Sequence, residues 1–590
     1  MAETLTPQQR EAVENRGGRL LVSAAAGSGK TKVLVDRLMR YLMDPVHPAN
    51  IDQFLMITYT KAAAAELRGK IAAKLTELVA ADPENHHLQR QLQRLYLTKI
   101  STVHSFCGDV LREYAYRLDI PGDFRVADEL ECGEIRVKVL EKLLDEAYTS
   151  QQENPAFRAF VDSQGLGRDD RQVPEILQQV YDSARCHLDP EAWLTECAAQ
   201  LQVGEISDVA ETPYGQFLLQ RLHKWLSLQI GALEHCVAEI TGMDGYEKPL
   251  ALLADTVVQL KRLEECTTWQ QIFSFPKLDF GRLTFSKKCV DEDLNNRIKA
   301  VREACKKGLE KQLLPFSDSS EQVLADLAAS EAAVCGLTDL VRDFDKAYSQ
   351  AKRNRRILDF GDLEHLMLDL LLGKTRSTPT AAAAEIGSRF VEVMVDEYQD
   401  SNAVQDAIYG ALTDQRKNLF MVGDVKQSIY QFRLADPLIF LKKYNTFTPA
   451  DDAKEGEDRK VVLSRNFRSS GGVLEAANDV FRLCMCPTVG GMYYGDDEAL
   501  YEGLPHAPLG EAEASLFCID VQQETYPEEA AFVADHIRKL LDGTHFVRQK
   551  DQLRPICPED IVILLRSPGS AGIYFQRALD EVGIRYATGG

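Results

Sequence analysis

The stretch LLVSAAAGSGKTKVL, residues 20–34, constrains this chain more than any other. An apolar run that turns through Gly27 and Gly29 into a helical pattern predicts a short buried strand, a tight loop and a helix in immediate succession. That order aims unpaired backbone N–H groups and the positive end of a helix at one point, where polyphosphate charge can sit. Ala24, Ala25, Ala26, Gly27, Ser28 and Gly29 then form the cradle. Lys30 reaches the β- and γ-phosphates of a nucleoside triphosphate, and Thr31 holds Mg²⁺. The full pattern asks for a glycine five residues before Gly29, and this chain has Ala24 there.

A second segment, RFVEVMVDEYQDSN, fits the same chemistry. The apolar run Val391 to Val395 predicts a buried parallel strand that delivers Asp396 and Glu397 to its carboxyl end, the edge at which open α/β sheets bind ligands. Asp396 is placed to hold Mg²⁺ through its water shell. Glu397 is the candidate general base for an attacking water. Acidic pairs after strands are often only solvated turns; strand, carboxylates and phosphate loop together favour one machine.

At 590 residues and 45% hydrophobic content, the chain is long enough for several domains with real cores. Its N-terminal segment has neither an apolar signal core nor an arginine-rich amphipathic pattern. No run approaches the roughly 18 apolar residues of a membrane span, so a cytoplasmic location and no membrane partner are expected. The thirteen cysteines are scattered without a CxxC pair and read as reduced core thiols. A net charge of −22 excludes a uniformly basic nucleic-acid binder, so any DNA contact must be a locally lined groove.

Along the chain, residues 1–124 alternate strand-like and helical runs, which implies parallel βαβ units. Residues 125–350 change to long amphipathic segments and read as a helical insertion. The α/β pattern resumes over 351–445 with VEVMVDE and NLFMVGD, which makes the first domain discontinuous. After the acidic loop DDAKEGEDRK, the runs VVLS, ASLFCIDV, DIVILLRS and IRYAT suggest a second α/β domain over 446–590. The basic segment RNRIKAVREACKKGLEKQ could track duplex phosphates or form a solvated helix face.

The blocks LTPQQREAV, AAAGSGKT, MITYTKAAAAELR, ISTVHSFC, VDEYQDSN, FMVGDVKQSIYQFR and LSRNFRSS stand in the order found in superfamily 1 helicases of the UvrD and PcrA type, and the chain resembles that family. TYTKAAAAELR, STVHSFC, the large insertion and RRILDFGDLEHLMLDL look most like its AddA and RecB branch of bacterial helicase-nuclease subunits. The resemblance implies an α/β fold: a RecA-like P-loop NTPase domain, a large helical insertion and the N-terminal portion of a second RecA-like domain. It implies ATP and Mg²⁺ as cofactors, single-stranded DNA and double-stranded DNA ends as substrates, and an AddB-like partner. The implied task is resection of double-strand breaks for recombinational repair.

By the same resemblance, Gln9 reads the adenine edge, since an amide both donates and accepts. Phe467 stands where relatives stack an aromatic ring on adenine, and Lys32 where they often carry arginine against the base. Gln427 senses the γ-phosphate. Arg468 resembles an arginine finger, a group worth about 10³–10⁵ in rate in related phosphoryl transfer. Tyr59 and Phe432 stand where relatives stack bases of a single strand, with phenylalanine in place of the common tryptophan at the second position. Thr58, Thr60, Ser101, His104 and Arg433 are candidate phosphate contacts; for His104 a structural role in the core stands beside that reading.

The family continues into further motor motifs and, in this branch, a nuclease, and no acidic cluster with lysine resembles one here. The chain is therefore expected to be a truncated form, an incomplete gene product or the front half of a longer protein, with nucleotide binding retained and DNA-stimulated hydrolysis weak or absent. Two rivals remain: a stand-alone UvrD-like repair helicase, and a non-hydrolysing scaffold that binds through the insertion. Glu397 counts against the scaffold, which has no use for a poised base.

Overall fold

The structure is a computed structural model that describes residues 5–150, 154–165, 170–428, 435–486, 492–504, 513–521, 525–549 and 552–588. The architecture is α/β with a large helical block. Along the chain the strands among the described residues are β1 (Leu20–Ala24), β2 (Phe54–Thr58), β3 (Lys99–Thr102), β4 (Arg125–Val126), β5 (Ile357–Leu358), β6 (Glu392–Val395), β7 (Leu419–Gly423), β8 (Thr448–Pro449), β9 (Arg459–Leu463), β10 (Arg465–Asn466), β11 (Tyr501–Glu502), β12 (Phe546–Gln549) and β13 (Gln552–Pro555). The chain divides into two compact units. One is drawn from Met1–Pro45, Phe420–Ser428 and Phe440–Gly590, the other from Val46–Leu419 and Ile429–Ile439. No helix among the described residues is long and apolar enough to cross a membrane.

In the first unit β1 pairs in parallel with β7, Leu20 opposite Phe420, and with β9, Leu20 opposite Arg459. All five residues of β1 and of β7 are buried. Their unbroken apolar runs follow from burial of both faces of a parallel sheet. β9 carries Val461 to Leu463 of the VVLS run, the segment read as opening a second α/β domain, and it is bound along its length to the phosphate-loop strand. Farther on, helices Thr525–Leu540 and Pro568–Glu581 pack through Ala530, Ala534, Ile537, Ala571 and Phe575. The run DIVILLRS, expected to be a strand, lays Ile561, Ile563 and Leu565 on these helices and forms no ladder among the described residues. Its alternate residues Val562 and Leu564 are 76% and 89% exposed.

In the second unit β2 pairs in parallel with β3 and with β6, and both β2 and β6 are fully buried runs. The helical block has two cores. One gathers Leu222, Leu226, Leu260 and Trp269; the other gathers Phe157, Leu177, Phe344 and Tyr348. β4 and β5 pair in parallel, Arg125 opposite Ile357, so the chain enters and leaves the block side by side.

Where the 35-residue helix Ser320–Asn354 ends, Lys352 is buried with its ammonium 2.7 Å from Asp359 Oδ2 and 2.6 Å from Asp362 Oδ2. The two aspartates form the capping box of helix Phe360–Leu372. Burial pushes the Asp359 carboxyl up, but the Lys352 charge and hydrogen bond outweigh it and hold it at about 2. Asp362, buried beside that carboxylate, is raised. Removing one partner of a buried ion cluster leaves uncompensated charge. Lys352→Ala is expected to lower the unfolding free energy by about 3–5 kcal/mol in urea denaturation, and a loss below about 1 kcal/mol contradicts a structural role for this cluster.

Candidate functional site

In the first unit the chain leaves β1, passes through Ala25 and Ala26, and turns at Gly27 (φ +68°) and Gly29 (φ +84°) into helix Lys30–Leu42. Both glycines sit in the left-handed region that L side chains avoid. Gly29 is the N-cap residue and no side chain caps this helix, so its positive end faces the loop. Ser28 is buried, and its Oγ has no hydrogen-bond partner among the described residues. A Cβ on Gly27 would lie 2.7 Å from Asn466 Nδ2, so this position is closed to any other residue. Glycine turns, uncapped helix and an orphaned hydroxyl fit the β- and γ-phosphates of a nucleoside triphosphate. Lys30 and Thr31 stand on the first helical turn, and Lys32 follows, half-buried.

Helix Pro7–Glu14 is tied to this loop from the N-terminal side. Thr6 and Gln9 form its capping box. Gln9 is buried; its Oε1 accepts from Thr6 N at 3.0 Å, and its Nε2 donates to Ser28 O at 2.9 Å. The amide keeps one further donor and one lone pair for a ligand. Arg37 on the loop helix donates to Ala12 O (2.8 Å) and Asn15 O (2.6 Å), and its guanidinium lies 4.7 Å above the Phe420 ring.

From the other side comes the turn after β9. Asn466 donates from Nδ2 to Ala26 O at 2.7 Å, while its Oδ1 accepts from Arg468 N and Ser469 N, each at 2.7 Å. Phe467 N donates to Gly27 O at 2.9 Å, and its ring lies against Gly503, where a Cβ would stand 2.6 Å from it. Arg468 is exposed. After β7, buried Asp424 accepts from Gln427 Nε2 at 2.8 Å and pairs with Lys426 Nζ at 3.0 Å.

In the second unit β6 leads directly into Asp396, whose N–H donates to Ile57 O of β2 at 2.9 Å. Glu397 adopts the left-handed region (φ +50°), a conformation that costs a non-glycine residue about 1 kcal/mol and gathers at functional sites. Its N–H donates to Asp396 Oδ1, and its Oε2 accepts from Gln399 Nε2 at 2.9 Å. Both carboxylates line a cavity of about 840 Å³ together with Thr58, Tyr59, Thr60 and His104. Thr58 is buried with its hydroxyl donating to Thr60 O at 3.1 Å, and Thr60 caps helix Lys61–Ala81. Ser101 lies within β3 and does not line this cavity; Thr102 and Ser105, hydroxyls 3.0 Å apart, do. Phe432 and Arg433 lie outside the described residues.

Residues 5–448 match the family model described as the UvrD/REP helicase N-terminal domain. The chain belongs to that helicase family. Relatives named as subunits of an ATP-dependent helicase/nuclease are similar across nearly all of it. That of Pelotomaculum thermopropionicum is 35% identical over 640 residues, covering 98% of this chain and 50% of the relative. That of Geobacillus thermodenitrificans is 36% identical over 593 residues, covering 96% and 47%. The chain spans about half the length of the curated relatives it matches.

Two residues of this helicase chain that sequence reasoning did not single out have structural partners at these sites. Asn466 joins the phosphate loop to the NFRSS turn. Glu364 joins His104 to Gln405 at the cavity wall. Each lies inside a block that carries the resemblance, NFRSS and LDFGDLEHL, so its position was visible although its partner was not.

Proposed function

We propose that this chain is the motor portion of an ATP-dependent DNA helicase, acting on single-stranded DNA in the processing of double-strand breaks with a second, AddB-like protein, in the bacterial cytoplasm. The reading rests on the phosphate loop: two left-handed glycines open an uncapped helix, and Asn466 of the NFRSS turn clamps the loop. The residues present suit ATP. Lys30 neutralises the β- and γ-phosphates, Gln9 offers its spare donor and lone pair to adenine, Phe467 offers its ring and Lys32 its charge to the base. Oxygen donors suit Mg²⁺, and Thr31 in the first unit and Asp396 in the second are each a candidate to hold it; the bound ion neutralises phosphate charge. Glu397 takes the proton of the attacking water, Gln427 reports the γ-phosphate, and Arg468 supplies transition-state charge.

Tyr59, with Thr60 and His104, offers one ring and polar groups to a single strand without reading its sequence, while the buried Thr58 hydroxyl is committed to Thr60 O. The chain is expected to bind a fluorescent oligothymidylate. Tyr59→Ala is expected to weaken that binding by about 1–3 kcal/mol in fluorescence anisotropy, the worth of one stacked base. An intact chain without affinity for the oligonucleotide sinks this reading.

A further inference from the structure

Glu364 is a carboxylate where water barely reaches, 6% exposed on helix Phe360–Leu372. A buried charge of this kind persists only when its lone pairs are filled. Oε1 accepts from His104 Nε2 at 3.0 Å and from Gln405 Nε2 at 2.7 Å, and Oε2 faces Asn402 Nδ2 at 3.5 Å. Burial raises the carboxyl, but the hydrogen bond and charge of His104, with the amides of Gln405 and Asn402, outweigh it and hold it below the ordinary range.

These partners come from separate elements. His104 opens helix Val103–Glu113 directly after β3. Asn402 is the N-cap of helix Ala403–Thr413, which follows the loop bearing Asp396 and Glu397. Phe360 lies against the His104 ring, centroids 4.6 Å apart. The imidazole is thereby held in plane and in depth, while 28% of its side chain stays open to the cavity. Protonated on both nitrogens, such an imidazolium can donate from Nε2 to the carboxylate and from Nδ1 to a phosphate oxygen.

We propose that Glu364 is a positioning residue: it locks the His104 ring for contact with a nucleic-acid phosphate and ties that ring, through Gln405 and Asn402, to the helix following the acidic loop. The proposal rests on the reading of this cavity as a single-strand site. It differs from a packing role in one respect, because a positioning carboxylate loses its effect once His104 is gone.

The test is a double-mutant cycle on the full chain, with a fluorescent oligothymidylate as probe and a fluorescent ADP analogue as control. Glu364→Gln keeps the side-chain shape and removes the charge; it and His104→Ala are each expected to weaken oligonucleotide binding about tenfold, the worth of one charge-assisted hydrogen bond. The combined variant should bind no more weakly than His104→Ala alone. Affinity for the ADP analogue should not change. Gln405→Ala, which leaves the carboxylate in place and frees one of its oxygens, provides a second cycle should Glu364→Gln fold poorly. It too should have no effect in the His104→Ala background. Additive losses in a chain that binds the oligonucleotide overturn this proposal alone. A wild-type chain that does not bind overturns the single-strand reading and this proposal with it.

Discussion

Lys30→Ala is expected to abolish tight nucleotide binding and to leave the fold intact. The ammonium belongs to the first residue of the uncapped helix, directly after the loop, and the loop glycines contribute only backbone dipoles. A triphosphate without it keeps the N–H cradle and loses its nearest counter-charge. The expected effect is a roughly hundredfold rise in the dissociation constant for ATP and a fall of about 10²–10³ in any turnover, the range seen on removing one preorganised donor from a transition state. Equilibrium binding of a fluorescent ATP analogue and phosphate release, each with and without a single-stranded oligonucleotide, measure both. Binding within a factor of about three of wild type contradicts the assignment of this loop.

Glu397→Gln divides the same two observables. The substitution keeps length and shape, can still meet Gln399, and cannot accept a proton from water. Loss of a positioned general base costs about 10²–10⁴ in turnover, and the exchange leaves Gly27, Gly29 and Lys30 themselves unchanged. ATP affinity is therefore expected to stay within a few-fold of wild type while phosphate release falls to background. Equal loss of affinity and turnover would mean that Glu397 serves binding or folding. Its left-handed backbone, φ +50°, makes Glu397→Gly an informative companion, since glycine relieves the strain and removes the carboxylate.

Much of the first unit was legible because its chemistry is local. Gly27, Gly29 and Lys30 are consecutive or nearly so, and a strand running into a glycine turn and a helix is written in one short segment. Long-range partners were not legible in the same way. Asn466 meets Ala26 O across 440 positions, and Glu364 meets His104 across 260. No periodicity encodes such pairings. Ser101 shows the limit of reading a motif as a block: the cavity takes Thr102 and Ser105 from ISTVHSF, and Ser101, one residue earlier on β3, does not line it. ASLFCIDV and DIVILLRS carry strand-like apolar runs, yet no ladder forms on them among the described residues. Apolar content marks a surface to be covered, whereas a strand also needs a neighbour for its N–H and C=O groups.

The clasp formed by β4 and β5 has a bearing on how such chains diversify. Two residues from each end of the helical block stand in register, a strand spacing of about 4.8 Å apart. Apart from Lys352 and Arg185, which are tied to Asp362 beyond the clasp, what lies between Val126 and Ile357 can lengthen, shorten or be exchanged with the anchor points unmoved, much as an attachment is changed on a fixed spindle. Selection can rebuild this block for a new duplex, partner or signal while β2, β3 and β6 keep their register beneath it.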